Sequence, residues 1–277
     1  MSRGAAGASS GSRDQPESLA AAALRVLATA EPRAKAALSA QSAADWRAGR
    51  LTREAAGPPP ERPARPARPD LLPPRALPRR RIGEASAGRI ALLHALAHIE
   101  LNAIDLAWDI QVRFPDEPLP RAFFDDWVRV AEEEAKHFLL LAERLEALGG
   151  AYGDLPAHDG LWQAAADTGQ DLLARLAVVP LVLEARGLDV TPAMIGKLQA
   201  AGDRESAAIL EVIYRDEVGH VAIGKRWFDW LCAQRGLAPA ETWRSLVRRH
   251  FKGTLKPPFN DDARAKAGLT AAFYEDL

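Results

Sequence analysis

The chain has one cysteine, Cys232, in 277 residues. That scarcity excludes an intrachain disulfide, a cysteine-based zinc site and an iron–sulfur cluster. Any bound metal must be held by histidine, aspartate and glutamate. An excess of charge is missing too: 36 Lys and Arg stand against 37 Asp and Glu, for a formal net charge of −1. No global field therefore draws the chain to nucleic acid or to an anionic membrane. No apolar run approaches the ~18 uninterrupted residues of a membrane span. No stretch alternates polar and apolar residues as a half-buried strand does. Residues 19–30, LAAAALRVLATA, look like a signal peptide only in outline, because Arg25 interrupts the apolar stretch and Asp14 and Glu17 precede it where basic residues belong. The expected setting is the reducing cytoplasm, with no membrane partner.

What is present is helix-forming text punctuated by proline. Residues 1–16, rich in Gly, Ser and Ala, carry too little apolar surface to order themselves and are expected to form a loose tail. Residues 17–56 read as a helical arm that Pro32 divides into two pieces. Residues 57–84 form a connector in which Pro58, Pro59, Pro60, Pro63, Pro66, Pro69, Pro73, Pro74 and Pro78 exclude helix and central strand alike. Residues 85–235 are then almost wholly helical. A first helix runs from Gly88 to Phe114 and is closed by Pro115. A second begins near Pro120 or Asp125 and stops at Leu148, before Gly149-Gly150. After a turn-rich crossover at 151–160, a third is expected over 161–187 with a kink at Pro180. A separate short helix follows from Thr191 to Ala201, with Thr191 as N-cap and Pro192 at its first position. The last long helix spans Asp203–Arg235. Residues 236–277 add one more helix at 239–252 and a tail that is irregular from Pro257. The fold class is all-α.

Two copies of Glu-x-x-His stand out, Glu134-Ala-Lys-His137 and Glu217-Val-Gly-His220. An i, i+3 pair shares one helix face, so carboxylate and imidazole can reach the same ion. One such pair alone is most often a solvated helix face. Each copy here, however, follows a helix carrying a glutamate in an apolar stripe. Glu100 shares a face with Leu93, Leu96, Ala97, Ile104, Ala107 and Trp108, and Glu184 lies among Leu176, Ala177, Pro180, Leu181 and Leu188. A buried carboxylate costs several kcal/mol unless it is paired, neutralised or bound to metal. Glu134 follows Glu100 by 34 positions and Glu217 follows Glu184 by 33, so both halves read as one helical hairpin. At ~1.5 Å of rise per residue, each arm is long enough for the chain to turn and return to the same height. Two such hairpins packed antiparallel bring four carboxylates and two imidazoles together.

The set Glu100, Glu134-x-x-His137, Glu184 and Glu217-x-x-His220 resembles the ferritin-like superfamily, which includes rubrerythrins, bacterioferritins and di-iron hydroxylases. The phrases HIELNAIDLAWD, LEARGLDVTP and DEVGHVAIGKRWF look more narrowly like an uncharacterised bacterial ferritin-like family related to the tRNA hydroxylase that acts on an isopentenylated adenosine. The resemblance covers roughly residues 85–260. It implies a ferritin-like antiparallel four-helix bundle holding two iron ions, with a manganese–iron pair as the alternative. Within the fourth helix the similarity to the tRNA hydroxylase is confined to the ligands, so its substrate is not carried over.

Position nominates supporting residues. Asp216 and Glu133 each precede a ligand glutamate, and an acid there accepts the histidine N–H in related sites. Tyr214, one turn before Glu217, is the candidate for a hydrogen bond to a ligand or to bound oxygen, against a plain core role. His98, with His94 at i−4, is a candidate for hydrogen bonding around the site. Arg186 follows Glu184 by two and should point away from it. Six N/O ligands with four negative charges suit iron or manganese better than zinc. Three classes of function follow: an oxygen-activating oxidoreductase acting on a small-molecule or nucleoside-like substrate with an electron donor, a ferroxidase or iron store, and a scaffold stapled by metal. Arg62, Arg65, Arg68, Arg75, Arg79, Arg80 and Arg81, with Arg244, Arg248, Arg249 and Lys252, offer phosphate contacts for RNA, but solvated surface charge is the stronger reading. A homodimer is one assembly open to the chain.

Overall fold

A computed structural model describes residues 17–77 and 86–275. The expected tail at 1–16, and Pro78, Arg79, Arg80 and Arg81 of the connector, lie outside the described residues. The described residues form an all-helical protein without a strand; the β contacts among them are two isolated bridges, Ser18 with Thr52 and Leu71 with Ala157.

The N-terminal arm folds as two helices, α1 (Leu19–Ala28) and α2 (Pro32–Arg47). Ser18 caps α1, its Oγ accepting from Ala21 N at 3.1 Å, and Glu31 caps α2 by accepting from Arg33 N at 3.0 Å. Pro32, at the first position of α2, loses nothing there because its missing N–H would have no partner inside the helix. The arm packs on the next two helices, α3 (Ser86–Arg113) and α4 (Arg121–Ala147). Ser39 donates to the Ala131 carbonyl at 2.9 Å and accepts from Trp108 Nε1 at 2.7 Å. Lys35 of α2 is paired with Asp105 of α3, both wholly buried, and Arg65 reaches the same carboxylate at 2.8 Å. Burial pulls the Lys35 ammonium down and pushes the Asp105 carboxyl up. Loss of Asp105 would leave the buried Lys35 uncompensated, at a cost of about 3–5 kcal/mol.

This covering changes the character of α3. The sequence suggests one apolar stripe, yet every residue from Glu100 to Val112 is buried, because α4 covers one side and α1 another. A helix enclosed all round is a core helix. By length and composition α3 is also apolar enough to cross a membrane; here it is the central helix of the fold, with Glu100, Asp105 and Asp109 buried along it.

The proline-rich connector runs extended over the surface. Ala64 N donates to Leu27 O at 2.7 Å, and Arg113 donates to Pro60 O at 2.8 Å. Leu72 N and Ala157 O, at 2.8 Å, tie it to the crossover loop. Two arginines considered for phosphate contact are engaged internally: Arg62 pairs with Asp159 and Arg65 with Asp105 and Asn102.

The third long helix departs from expectation. Its length is divided into α5 (Gly160–Asp167), α6 (Leu172–Val178), a π-helical turn at Val179–Glu184 and α7 (Ala185–Ala200). Pro180 produces a π-turn rather than a simple kink, and such single turns recur at functional sites. The ring of Pro180 is seated against Gly224, where an added Cβ would stand 2.4 Å from Pro180 Cβ. Trp243 Nε1 donates to the Ala177 carbonyl at 3.0 Å, at the entrance to the turn.

No separate helix begins at Thr191. Pro192 lies inside α7, where it deprives the carbonyl of Leu188 of its i+4 donor. Asn260 Nδ2 supplies the replacement at 3.1 Å, so the helix continues. The remaining helices are α8 (Arg204–Gln234), which packs on α4, α6, α7 and the π-turn, then α9 (Pro239–His250) and α10 (Asp261–Lys266).

Candidate metal centre

Four stretches of helix deliver the acidic and imidazole groups to one place. Glu100 comes from α3, Glu134 and His137 from α4, Glu184 from the end of the π-turn, and Glu217 and His220 from α8. One donor atom from each of Glu100, Glu134, His137 and Glu217 lies within 4.8 Å of the other three. This cluster could hold a metal ion. Glu184 lines the same cavity as Glu100, Glu134 and Glu217.

Glu134 is the hinge of the geometry. Its Oε2 is 3.3 Å from His137 Nδ1, and its Oε1 is 2.9 Å from His220 Nδ1. The two imidazoles therefore flank one carboxylate, their ring centres 5.7 Å apart. Glu100 Oε2 approaches His137 Nδ1 at 3.6 Å, and Glu217 Oε1 approaches His220 Nδ1 at 3.5 Å. Each half thus offers one imidazole nitrogen and its own glutamate, with Glu134 shared.

The outward nitrogens are fixed by acids. His137 Nε2 lies 3.0 Å from Asp216 Oδ2, and His220 Nε2 lies 2.7 Å from Glu133 Oε2. Asp216 and Glu133, singled out for their positions beside the ligand glutamates, each serve the histidine of the opposite helix. With Nε2–H donating outward, Nδ1 faces the cluster and, on losing its proton, offers the lone pair that a metal requires. Lys136 donates to the same Asp216 oxygen at 2.5 Å, a contact that the sequence did not suggest.

Charge in the cluster is heavily redistributed. Burial, followed by repulsion from Glu134, raises the Glu100 carboxyl well above the usual range. Burial, then Glu217 and Glu134, do the same to Glu184. Burial also opposes charge on Glu134, but the attraction of His220 and the hydrogen bond from His137 outweigh it and hold this carboxyl well below its usual range. Burial likewise opposes an imidazolium at His137 and His220. Asp216 with the site carboxylates outweighs it at His137, and Glu134 and Glu217 do so at His220, so both rings sit well above the ordinary histidine range. The hydrogen bond from His137, ahead of that from Lys136, keeps Asp216 well below the usual carboxylate range despite its partial burial.

The donor set fits divalent cations. Glu134 Oε1, Glu184 Oε2, Glu217 Oε2 and His220 Nδ1 are buried atoms without a hydrogen-bond partner, each of which would cost about 1–3 kcal/mol if nothing satisfied it. Nδ1 of His220 and Oε1 of Glu134 face each other at 2.9 Å without hydrogen-bond alignment. Cations among these oxygens and nitrogens would satisfy all four atoms and relieve the repulsion among the carboxylates.

Residues 28–275 match the family described as protein of unknown function (DUF455). The chain belongs to this family. An uncharacterized protein of Haemophilus influenzae is 44% identical to it over 210 residues, which is 74% of this chain and 73% of that relative. No solved structure matches the chain. The DUF455 description assigns no activity, so a functional reading of the chain has to come from the cluster and its surroundings.

Those surroundings place the other candidates of this DUF455 chain. The Tyr214 hydroxyl accepts from Asn260 Nδ2 at 2.9 Å, so it ties the C-terminal segment to α8 and makes no hydrogen bond to the six clustered side chains. His98 uses both ring nitrogens on the crossover loop, Nδ1 with the Tyr152 hydroxyl at 2.9 Å and Nε2 with the His158 carbonyl at 3.1 Å. It anchors that loop rather than a metal ligand, and burial lowers its pKa to about 4. His94 accepts from Gly153 N at 2.9 Å in the same loop. Arg186, expected to point away from Glu184, lines the same cavity. That cavity, of ≈180 Å³, has walls that include Leu96, Ile99, Leu183, Met194, Leu210 and Ile213, contributed by α3, the π-turn, α7 and α8.

Proposed function

We propose that the chain is a ferritin-like four-helix protein in which Glu100, Glu134, His137, Glu184, Glu217 and His220 hold two metal ions, iron first and a manganese–iron pair second. Its activity is oxidation of an organic substrate with dioxygen, in the cytoplasm, with an electron donor restoring the reduced pair. One observation carries the reading: Glu134, Glu184 and Glu217, each with a buried oxygen that lacks a hydrogen-bond partner, line one cavity whose other walls are mostly apolar. A purely structural metal would be expected to have its ligands closed in by packed side chains. Here Glu100, Glu134, Glu184 and Glu217 all face open space.

A reduced iron pair would supply two electrons to dioxygen at adjacent open positions. The chain's own contribution is binding and orientation. Asp216 and Glu133 hold the imidazole rings with Nδ1 inward. Glu134 presents one oxygen to each half. Leu96, Leu183, Leu210 and Ile213 exclude water from the reacting end, which protects a reactive oxygen species from side reactions.

The test is stopped-flow mixing of the anaerobic iron-loaded protein with dioxygen. Oxidation much faster than that of free Fe(II), with no iron taken up beyond two ions per chain, is expected. Oxidation at the free-ion rate would favour a scaffold, and continued loading would favour an iron store.

A further inference from the structure

The cavity beside the cluster has a chemical character more specific than "organic substrate". Its floor is acidic and its walls are almost wholly aliphatic. Two side chains break the pattern of enclosure at its mouth. Ile99, on the core helix α3, is nevertheless 38% exposed. Arg186, on α7, has 41% of its side chain exposed while still lining the cavity. An apolar face open to water beside a guanidinium is what an amphiphile would cover.

The charge of Arg186 is poorly matched within the protein. Its nearest carboxylate, Asp189, is taken by the buried Arg264, which donates to both oxygens at 2.8 and 2.7 Å. A third donor, Asn260 N, reaches Asp189 Oδ1 at 3.0 Å. Arg186 meets Asp189 only at 3.4 Å, and its closer contact is to a neutral group, the Lys256 carbonyl at 2.6 Å. Asp189 therefore offers Arg186 a distant contact, while the guanidinium stands where the head of a bound molecule would emerge. Glu184 precedes Arg186 by two positions and reaches the opposite, metal-facing end of the same space. One turn of chain thus presents an acid to the cluster and a base to the mouth.

We propose that this cavity takes an amphiphilic substrate with a single aliphatic chain and one anionic end, the chain lying between Leu96, Leu183, Met194 and Ile213 toward the cluster and the anion held by Arg186. The inference rests on the functional reading above and specifies what that site would act on. It makes Arg186 a specificity residue: a bidentate guanidinium discriminates a carboxylate or phosphate from a neutral alcohol of the same length.

The experiment is calorimetric titration of the full-length protein, its metal content measured on the same sample, with octanoate and with 1-octanol. Octanoate is expected to bind one to one and more tightly than octanol. Arg186→Gln should weaken octanoate about tenfold, the worth of one charge-assisted contact, and leave octanol within about twofold. Ala103→Phe, which fills the cavity from α3, should abolish binding of both. Met194→Trp, at a partly exposed position on α7, gives the same test with less risk to folding, and circular dichroism checks both variants. Failure of octanoate to bind, equal loss of both ligands in Arg186→Gln, or undiminished binding in a folded cavity-filling variant would overturn the proposal. Two metals bound without octanoate would sink this inference alone, whereas octanoate bound through Arg186 without metal would sink the dinuclear reading and leave the pocket assignment standing.

Discussion

Asp216 Oδ2 lies 3.0 Å from His137 Nε2, although the two residues stand on different helices and Asp216 adjoins the other Glu-x-x-His motif. The reciprocal contact joins Glu133 to His220 at 2.7 Å. The motifs are therefore cross-braced: each half of the cluster is oriented by an acid from the other. Removing one acid should weaken the half that it braces. Asp216→Asn and Glu133→Gln should each lower metal affinity about 10–100-fold, measured by competition with a chelator. Unchanged affinity in both variants would mean that these contacts do not hold the rings for metal.

The seat of the π-turn gives a second prediction. A methyl group at Gly224 would stand 2.4 Å from Cβ and 2.6 Å from Cγ of Pro180, and a proline ring cannot swing aside as a flexible side chain could. Gly224→Ala should destabilise the protein by about 1–3 kcal/mol and also weaken metal binding, since Glu184 ends the displaced turn. Thermal unfolding with metal titration on the same variant checks both parts.

Asn260 and Pro192 should be energetically coupled. Asn260 Nδ2 satisfies the Leu188 carbonyl that Pro192 leaves without its helical donor. Asn260→Ala should cost about 1–2 kcal/mol, and less in a Pro192→Ala background, where the helix supplies its own N–H. A double-mutant cycle by urea unfolding would show an interaction of roughly 0.5 kcal/mol or more; strict additivity would contradict the account of how α7 passes its proline.

These particulars mark the boundary of what the sequence discloses. The apolar stripes around Glu100 and Glu184, the repeated Glu-x-x-His and the near-equal spacing were enough to single out the side chains that the fold gathers. Local signals also placed α1, α2, α4, α8 and α9 closely, because Pro32, Gly149-Gly150 and Gly236 act through the backbone of their immediate neighbours. The π-turn was hidden: Pro180 announces a break in helical bonding, but Gly224, 44 positions later, decides which break fits. The continuity of α7 was hidden for the same reason, since its missing donor comes from Asn260. Burial of α3 on all sides depends on the arm folding back, and the roles of Tyr214, His98 and Arg186 depend on which segment lies opposite them. Helix periodicity assigns a face, not what that face meets.

Acid should test the N-terminus of α8. Asp203 caps that helix, accepting from Ser206 N at 3.0 Å and from Arg144 at 2.8 Å. Burial opposes its charge, but the bonds from Ser206 and Arg144 prevail and lower its pKa. A carboxyl whose folded pKa lies below its unfolded value stabilises the protein above the unfolded pKa of about 3.9 and loses that contribution as pH falls through the folded value. Asp203→Asn should therefore cost about 1–2 kcal/mol at neutral pH, and the gap from the parent protein should close below about pH 4. Urea unfolding of both proteins at neutral and acidic pH measures it; a gap independent of pH would assign the effect to shape rather than charge.

Metal content tests the central claim most directly. Elemental analysis of protein purified without oxygen should find about two ions per chain, iron foremost, and almost none in the His137→Ala, His220→Ala double variant, where both imidazole nitrogens that flank Glu134 are gone. The parent protein should also melt at higher temperature with metal than after chelation, because a ligand of the native state alone stabilises it. Parent protein that takes up no metal, or a folded double variant that retains two ions, would contradict the assignment of the cluster as a dinuclear metal centre.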